Sequence, residues 1–155
     1  MAARTRFLDQ RNQRDAEFIV LVEKGEDELT LLLDLDVSAK GGFSSGECRI
    51  GMAKEYAIEM VHLLVEAIGR SAEPLPEWDR VGNVPYSWWD RGVRPGPDRI
   101  VSVLVRRGQI RVVISSPQDA VADGYIATMT REAAERLIEG MSQGLALMGS
   151  LKGPG

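Results

Sequence analysis

MTREAAERLIEGMSQGLAL, Met129 to Leu147, reads as a capped amphipathic helix: Thr130 at the start, Glu132 in the first turn, then an apolar stripe. Shifted back by 77 positions, it falls on a second stretch of the same kind. Met129 aligns with Met52, Arg131 with Lys54, Glu132 with Glu55 and Ala134 with Ala57. Further along, Leu137 aligns with Met60, Ile138 with Val61, Met141 with Leu64 and Leu145 with Ile68. Two copies of one unit are expected from this echo.

The residues before each helix extend the match. Phe18 to Val22 form a short apolar run, Gly25 marks a turn, and Leu29, Leu31, Leu33 and Leu35 alternate with Thr30, Asp34 and Asp36. A third strand is expected over 47–52 after the Gly/Ser-rich stretch 37–46, and then a helix from Ala53 to Ile68. In the second copy, strands are expected over 100–106, 109–115 and 124–129, with Arg107 and Gly108 as the first turn. The expected fold is α+β, an internal duplication βββα–βββα with an antiparallel sheet packed on two helices. Residues 1–14 read as a mobile arm, and 15–150 as a single domain of two units, 15–69 and 98–148. The linker 70–97 contains Pro74, Pro76, Pro85, Pro95 and Pro97 and is expected to hold no regular element.

Two features of the helices bear on packing. Ile58 and Leu63 lie off the main apolar stripe of the first helix, so a second dry face and a homo-oligomer are expected. The second helix has Gly140 and Gly144 where the first has Leu63 and Ala67. Bulk opposite small residues predicts that these two helix faces meet.

Composition bounds the function classes. Of the 155 residues, 44% are hydrophobic and 27% charged, the balance of a soluble globular chain. One cysteine, Cys48, excludes an internal disulfide and fits the cytoplasm. No apolar run reaches the roughly 20 residues needed to cross a bilayer. Net charge is −4 but unevenly spread: −7 over residues 15–36 and +5 over residues 91–115. Such polarity steers an anionic ligand to one end or docks subunits head to tail, unless the two hairpins are simply solvated.

Catalytic groups are scarce. His62 is the sole histidine and sits between Val61 and Leu63, while Cys48 shares a strand face with Ile50 and Met52. No catalytic residue, metal or cofactor is expected. Asp34 and Asp36 share a strand face with the spacing of a divalent-metal pair, but wet-face carboxylates are commonplace. The linker and the hairpin beside it are richer. Trp78, Tyr86, Trp88 and Trp89 are interleaved with Arg80, Arg91 and Arg94, and Arg106, Arg107 and Arg111 follow. Aromatic faces that stack bases and guanidinium groups that pair with phosphate are what single-stranded nucleic acid or a nucleotide requires. The alternative is that the tryptophans seal the loop over the core or an oligomer interface.

Cys48–Ile50–Met52–Lys54–Glu55–Ala57 and Tyr125–Ala127–Met129–Arg131–Glu132–Ala134 give a repeated pattern of strands, Met and a Glu/Ala helix. The pattern resembles the PUR-repeat and Whirly-type single-stranded nucleic-acid-binding proteins, in which a curved antiparallel sheet ends in a helix and the unit is duplicated or dimerised. Lys40, Gly41, Gly42 and Phe43 resemble the start of the third strand in PUR repeats. Those families place four strands before the helix, where the pattern here predicts three. The resemblance bears on topology more than on function; with the aromatic and arginine residues of the linker and second hairpin, a non-catalytic binder of single-stranded nucleic acid is expected, with Lys40, Trp78, Tyr86, Trp88, Trp89, Arg91, Arg94, Arg106, Arg107 and Arg111 as the ligand-binding residues. A small-nucleotide sequestering or sensing protein and an oligomeric protein-interaction module are the alternatives.

Overall fold

The computed structural model describes residues 3–11, 13–24, 29–37, 46–88, 100–115 and 125–152. The first half runs β1 (Ala3–Asp9), β2 (Arg14–Lys24), β3 (Leu29–Val37), β4 (Gly46–Met52) and α1 (Lys54–Arg70). After it come β5 (Asp79–Pro85), β6 (Ser87–Trp88), β7 (Ile100–Arg106), β8 (Gln109–Ile114), β9 (Tyr125–Thr130) and α2 (Arg131–Lys152). The first sheet has the order β1-β2-β3-β4-β6 and the second β5-β7-β8-β9, with every pair antiparallel. The class is α+β, as expected. Instead of one sheet there are two, and each helix follows four strands of one sheet rather than three, with β6 joining the first sheet from between β5 and β7.

The additional strands are β1, in the stretch read as an arm, and β5 and the two-residue β6, in the linker expected to hold no regular element. In β1, Thr5, Phe7 and Asp9 point inward and are 2%, 6% and 0% exposed, while Arg4, Arg6 and Leu8 face out. The period of two is present, but two of the three inward residues are polar, so it does not register as an apolar face. In β5 a bulge falls between Arg80 and Gly82, and Pro85 closes the strand. Bulges and prolines are tolerated at a sheet edge, where β5 lies. The β7–β8 turn is the expected Arg107–Gly108, with Gly108 at φ +73°, a conformation that glycine adopts without a Cβ clash.

Both helices follow the predicted stripe. Ala57, Met60, Leu64 and Ala67 of α1 are buried, and so are their counterparts Ala134, Leu137, Met141 and Gly144 of α2. Burying side chains such as Leu137 and Met141 contributes about 1.5–3 kcal/mol each. Thr130 caps α2 by accepting a hydrogen bond from the Ala133 N–H at 3.3 Å.

The helices are exchanged between the sheets. Although α2 follows the second sheet in sequence, it packs on β1, β2 and β3; α1 follows the first sheet and packs mainly on β5 and β7. Gly140 and Gly144 therefore do not meet Leu63 and Ala67, although α1 and α2 touch each other. A Cβ at Gly140 would lie 3.3 Å from the Ala3 Cβ, and one at Gly144 would lie 3.2 Å from both Val20 and Leu31. Leu63 instead lies over Gly82 of β5, where an added Cβ would come within 2.6 Å of its methyl group. The match of bulk to absence of bulk is thus between helix and strand. Where both partners are small, at Gly140 and Ala3, a narrow cleft remains, lined also by Val20, Val22, Gln143, Gly144 and Leu147, with about 20 Å³ of free space.

One contact ties the two sheets together along β1 and β9. The Gln10 N–H donates to the Thr128 carbonyl at 2.8 Å, and the Thr128 N–H donates to Asp9 Oδ1 at 3.2 Å. The turn after β1 therefore occupies part of the free edge of β9, which would otherwise offer unpaired backbone groups.

Candidate nucleic-acid interface

The register of the second sheet places Arg80, Leu104, Arg111 and Thr128 in one row across four strands. The next row holds Arg106, Gln109 and Thr130. Because Val103, Val105, Ile110, Val112, Ala127 and Met129 point to the core, strand alternation turns these rows to the outer face. Arg111 Nε donates to Thr128 Oγ1 at 2.9 Å, and Arg106 Nη2 donates to Gln109 Oε1 at 2.6 Å.

Trp78 is brought to this face by the connection after α1. The Arg107 N–H donates to the Leu75 carbonyl at 3.1 Å, and the Gly108 N–H donates to the Ser71 carbonyl at 2.9 Å. The proline-bearing segment is thereby fixed to the β7–β8 turn, and Trp78 comes against two guanidinium groups. Arg111 Cζ lies 4.0 Å and Arg106 Cζ 4.6 Å from the ring centroid, within cation–π range.

A third arginine joins from the turn after β1. Burial lowers the pKa of Arg111 and the positive charges of Arg11 and Arg106 lower it further, while Asp9 acts in the opposite sense. Asp9 is fully buried. Its Oδ1 accepts from the Arg11 and Thr128 N–H groups, and its Oδ2 has no hydrogen-bond partner among the described residues.

The two sheets treat charge differently. On the first, Glu17 of β2 and Asp34 of β3 are neutralised in place. Glu17 accepts from Arg4 at 3.2 Å and Arg6 at 2.9 Å, and Asp34 is held by both Nε and Nη2 of Arg49, at 2.5 and 2.7 Å. On the second, Arg11, Arg80, Arg106, Arg107 and Arg111 form no salt bridge among the described residues. The excess positive charge therefore collects on the second sheet.

Of the expected ligand-binding residues, Trp78, Arg106 and Arg111 come together. Arg107 is exposed on the adjoining turn, beside an open depression of about 410 Å³ lined by Pro74, Leu75, Pro76, Arg106 and Arg107. Tyr86 does not belong to the surface. It is 0% exposed in the core, with its hydroxyl bonded to the Ser115 carbonyl, so its ring is closed to any base. The backbone of Trp88 forms β6 beside β4, but its side chain, like Lys40, Trp89, Arg91 and Arg94, lies outside the described residues. Arg11, Asp9 and Thr128 were not expected at the site. The alternation of Arg4 and Arg6 with Thr5 and Phe7 is the signal that would have placed Arg11 on a hairpin turn.

Other candidate chemistry is absorbed by the fold. Cys48 is 1% exposed in the core and His62 lies on the exposed side of α1. Asp34, one of the carboxylate pair, is committed to Arg49, and no group of three metal-ligating side chains occurs among the described residues. No helix there is long and apolar enough to cross a membrane. A scan against protein-family models finds no match, and a search of curated proteins finds no similar sequence.

Proposed function

We propose that the protein binds single-stranded nucleic acid without catalysis, on the outer face of the second sheet. The observation that carries this reading is the gathering of Arg106 and Arg111 around Trp78 with no carboxylate paired to either among the described residues. Arginines stacked on an indole lose side-chain freedom before a ligand arrives, and they keep N–H groups to offer phosphate oxygens. Trp78 then serves mainly to position them. Base stacking falls to Trp88 and Trp89, with Arg91, Arg94 and Lys40 as further phosphate contacts. Stacking contributes about 1–3 kcal/mol per base.

The resemblance to PUR-repeat and Whirly-type proteins supports the same reading, since each helix follows four strands of one sheet, the count those families have. We also infer that the two halves arose by duplication, from the shared offset of the buried helix positions. The single cysteine is in keeping with a cytoplasmic setting.

Titration of unlabelled single-stranded oligonucleotides, followed by tryptophan emission at two salt concentrations, tests the function. Binding should weaken steeply with salt. Replacing Arg106 and Arg111 together with Ala should lower affinity at least about tenfold, the effect of roughly 1.4 kcal/mol. Unchanged affinity in that variant would sink the proposal.

An assembly module is a second reading, favoured by one observation. Ile58 and Val65, one above the other on the outer side of α1, are 37% and 53% exposed. If two copies meet there, Ile58→Glu with Val65→Glu reduces the mass measured by sedimentation; the same mass in both proteins removes this reading.

A further inference from the structure

We propose that the depression between the β7–β8 turn and residues 74–76 is a pocket for one unstacked nucleotide. Its base lies against Pro74, Leu75 and Pro76, and its phosphate meets Arg106 and Arg107. The inference rests on the single-strand-binding reading and adds a subsite to it: one nucleotide of the bound strand turns out of the stack and enters this depression.

The first observation is the cavity itself. At about 410 Å³ it falls within the range of small-ligand sites. Its lining is of two kinds, an apolar wall of Pro74, Leu75 and Pro76 and a basic wall of Arg106 and Arg107. A purely apolar ligand leaves the arginines unused, and inorganic phosphate leaves the apolar wall wet. A flat ring with a phosphate beside it uses both, since apolar side chains hold unstacked bases and guanidinium groups pair with phosphate.

The second observation is charge. Neither Arg106 nor Arg107 forms a salt bridge among the described residues. Of the acids on the neighbouring segment, Asp79 is bonded to Arg70, while Glu73 and Glu77 are exposed. Arg106 commits Nη2 to Gln109 Oε1 and rests on Trp78, which leaves further N–H groups for a phosphate. Arg107 thereby adds one phosphate contact to those already assigned to the strand.

The third is that the walls are fixed to each other. The Arg107 N–H donates to the Leu75 carbonyl at 3.1 Å, so one backbone bond joins the basic wall to the apolar one. The Leu75 N–H donates to the Glu73 carbonyl at 2.8 Å, and Pro74 and Pro76 restrict φ on either side of Leu75. A ligand thus meets a preformed depression, and little ordering opposes its binding. Arg106 also belongs to the outer face, where it shares Trp78 with Arg111, so a strand on that face passes beside the depression. A duplex presents an unstacked nucleotide only by breaking a base pair.

Titrating isotope-labelled protein with adenosine monophosphate, uridine monophosphate, adenosine, inorganic phosphate and O-phosphotyrosine tests this by NMR. At least one mononucleotide should shift the backbone N–H signals of Leu75, Arg107 and Gly108. It should bind at least about tenfold more tightly than adenosine or phosphate. Arg107→Glu and Pro76→Glu, both at exposed positions, should each lower that affinity about tenfold and weaken binding of a single-stranded oligonucleotide, with circular dichroism unchanged. Oligonucleotide binding that neither substitution alters, or mononucleotide shifts confined to other residues, overturns the pocket and leaves strand binding in place. Tighter binding of O-phosphotyrosine than of either mononucleotide overturns it in favour of a protein ligand. No binding of oligonucleotide or mononucleotide overturns both readings.

Discussion

Leu63 and Gly82 form a lock whose two parts sit on different halves of the chain. A Cβ at position 82 would approach the Leu63 methyl to 2.6 Å, so a larger residue there must displace that side chain or the helix beneath it. Gly82→Val should therefore cost about 1–3 kcal/mol, the usual range for overpacking. Shortening Leu63 to Ala in the same protein should recover part of the loss, so the pair is non-additive. Denaturant unfolding of the two single variants and the double variant measures this; strict additivity would show that the residues do not bear on each other. The helix glycines separate in the same way. Gly69 has nothing within 4 Å of a built Cβ, so Gly69→Ala should gain about 0.5–1 kcal/mol from helix propensity alone. Gly144 lies 3.2 Å from Val20 and Leu31, and Gly144→Leu should destabilise by about as much as Gly82→Val.

At the level of elements, β1 contributes more than its exposed arginines indicate. Phe7 stacks on Phe18 with ring centroids 5.5 Å apart, Ala3 and Thr5 lie beneath Gly140, and Asp9 joins β9. Removing residues 1–9 should therefore abolish the single cooperative unfolding transition seen by circular dichroism, whereas a dispensable arm would leave the midpoint where it was. The sequence made both helices and the strands β2, β3, β4, β7, β8 and β9 legible, because apolar residues mark their periods directly. It did not reveal β1, whose inward face includes Thr5 and Asp9, or β5, where Gly82, Asn83, Pro85 and a bulge obscure the alternation. The site was readable to the same extent. Trp78, Arg106 and Arg111 stand out as residue types on a basic, aromatic stretch. The turn that carries Arg11 lands on β9 beside them, a contact between distant parts of the chain that no local pattern encodes. Tyr86 illustrates the converse: beside Trp88 it reads as part of an aromatic surface, yet its ring fills the core.

Over the whole molecule, the two halves are alike in architecture and unlike in charge. Arg106 and Arg111 have Glu23 and Thr30 at the matching positions of the first half, so the candidate surface occurs once. With Lys40, Arg91, Arg94, Arg106 and Arg111 as the phosphate contacts, the logarithm of affinity for a single strand should fall against the logarithm of salt with a slope of about −3.5. Each arginine replaced by Ala should flatten that slope by about 0.7. A slope near zero in the unaltered protein would exclude phosphate contacts as the source of binding.

Because α2 rests on β1, β2 and β3, the first sheet waits for the end of the described chain to be covered. During synthesis β1 to β4 emerge early, and Val20, Leu31 and Leu33 stay open to water until every other strand has been made. A ribosome stalled before α2 therefore holds a hydrophobic sheet that only chaperones, or the α2 of a neighbouring nascent chain, can shield.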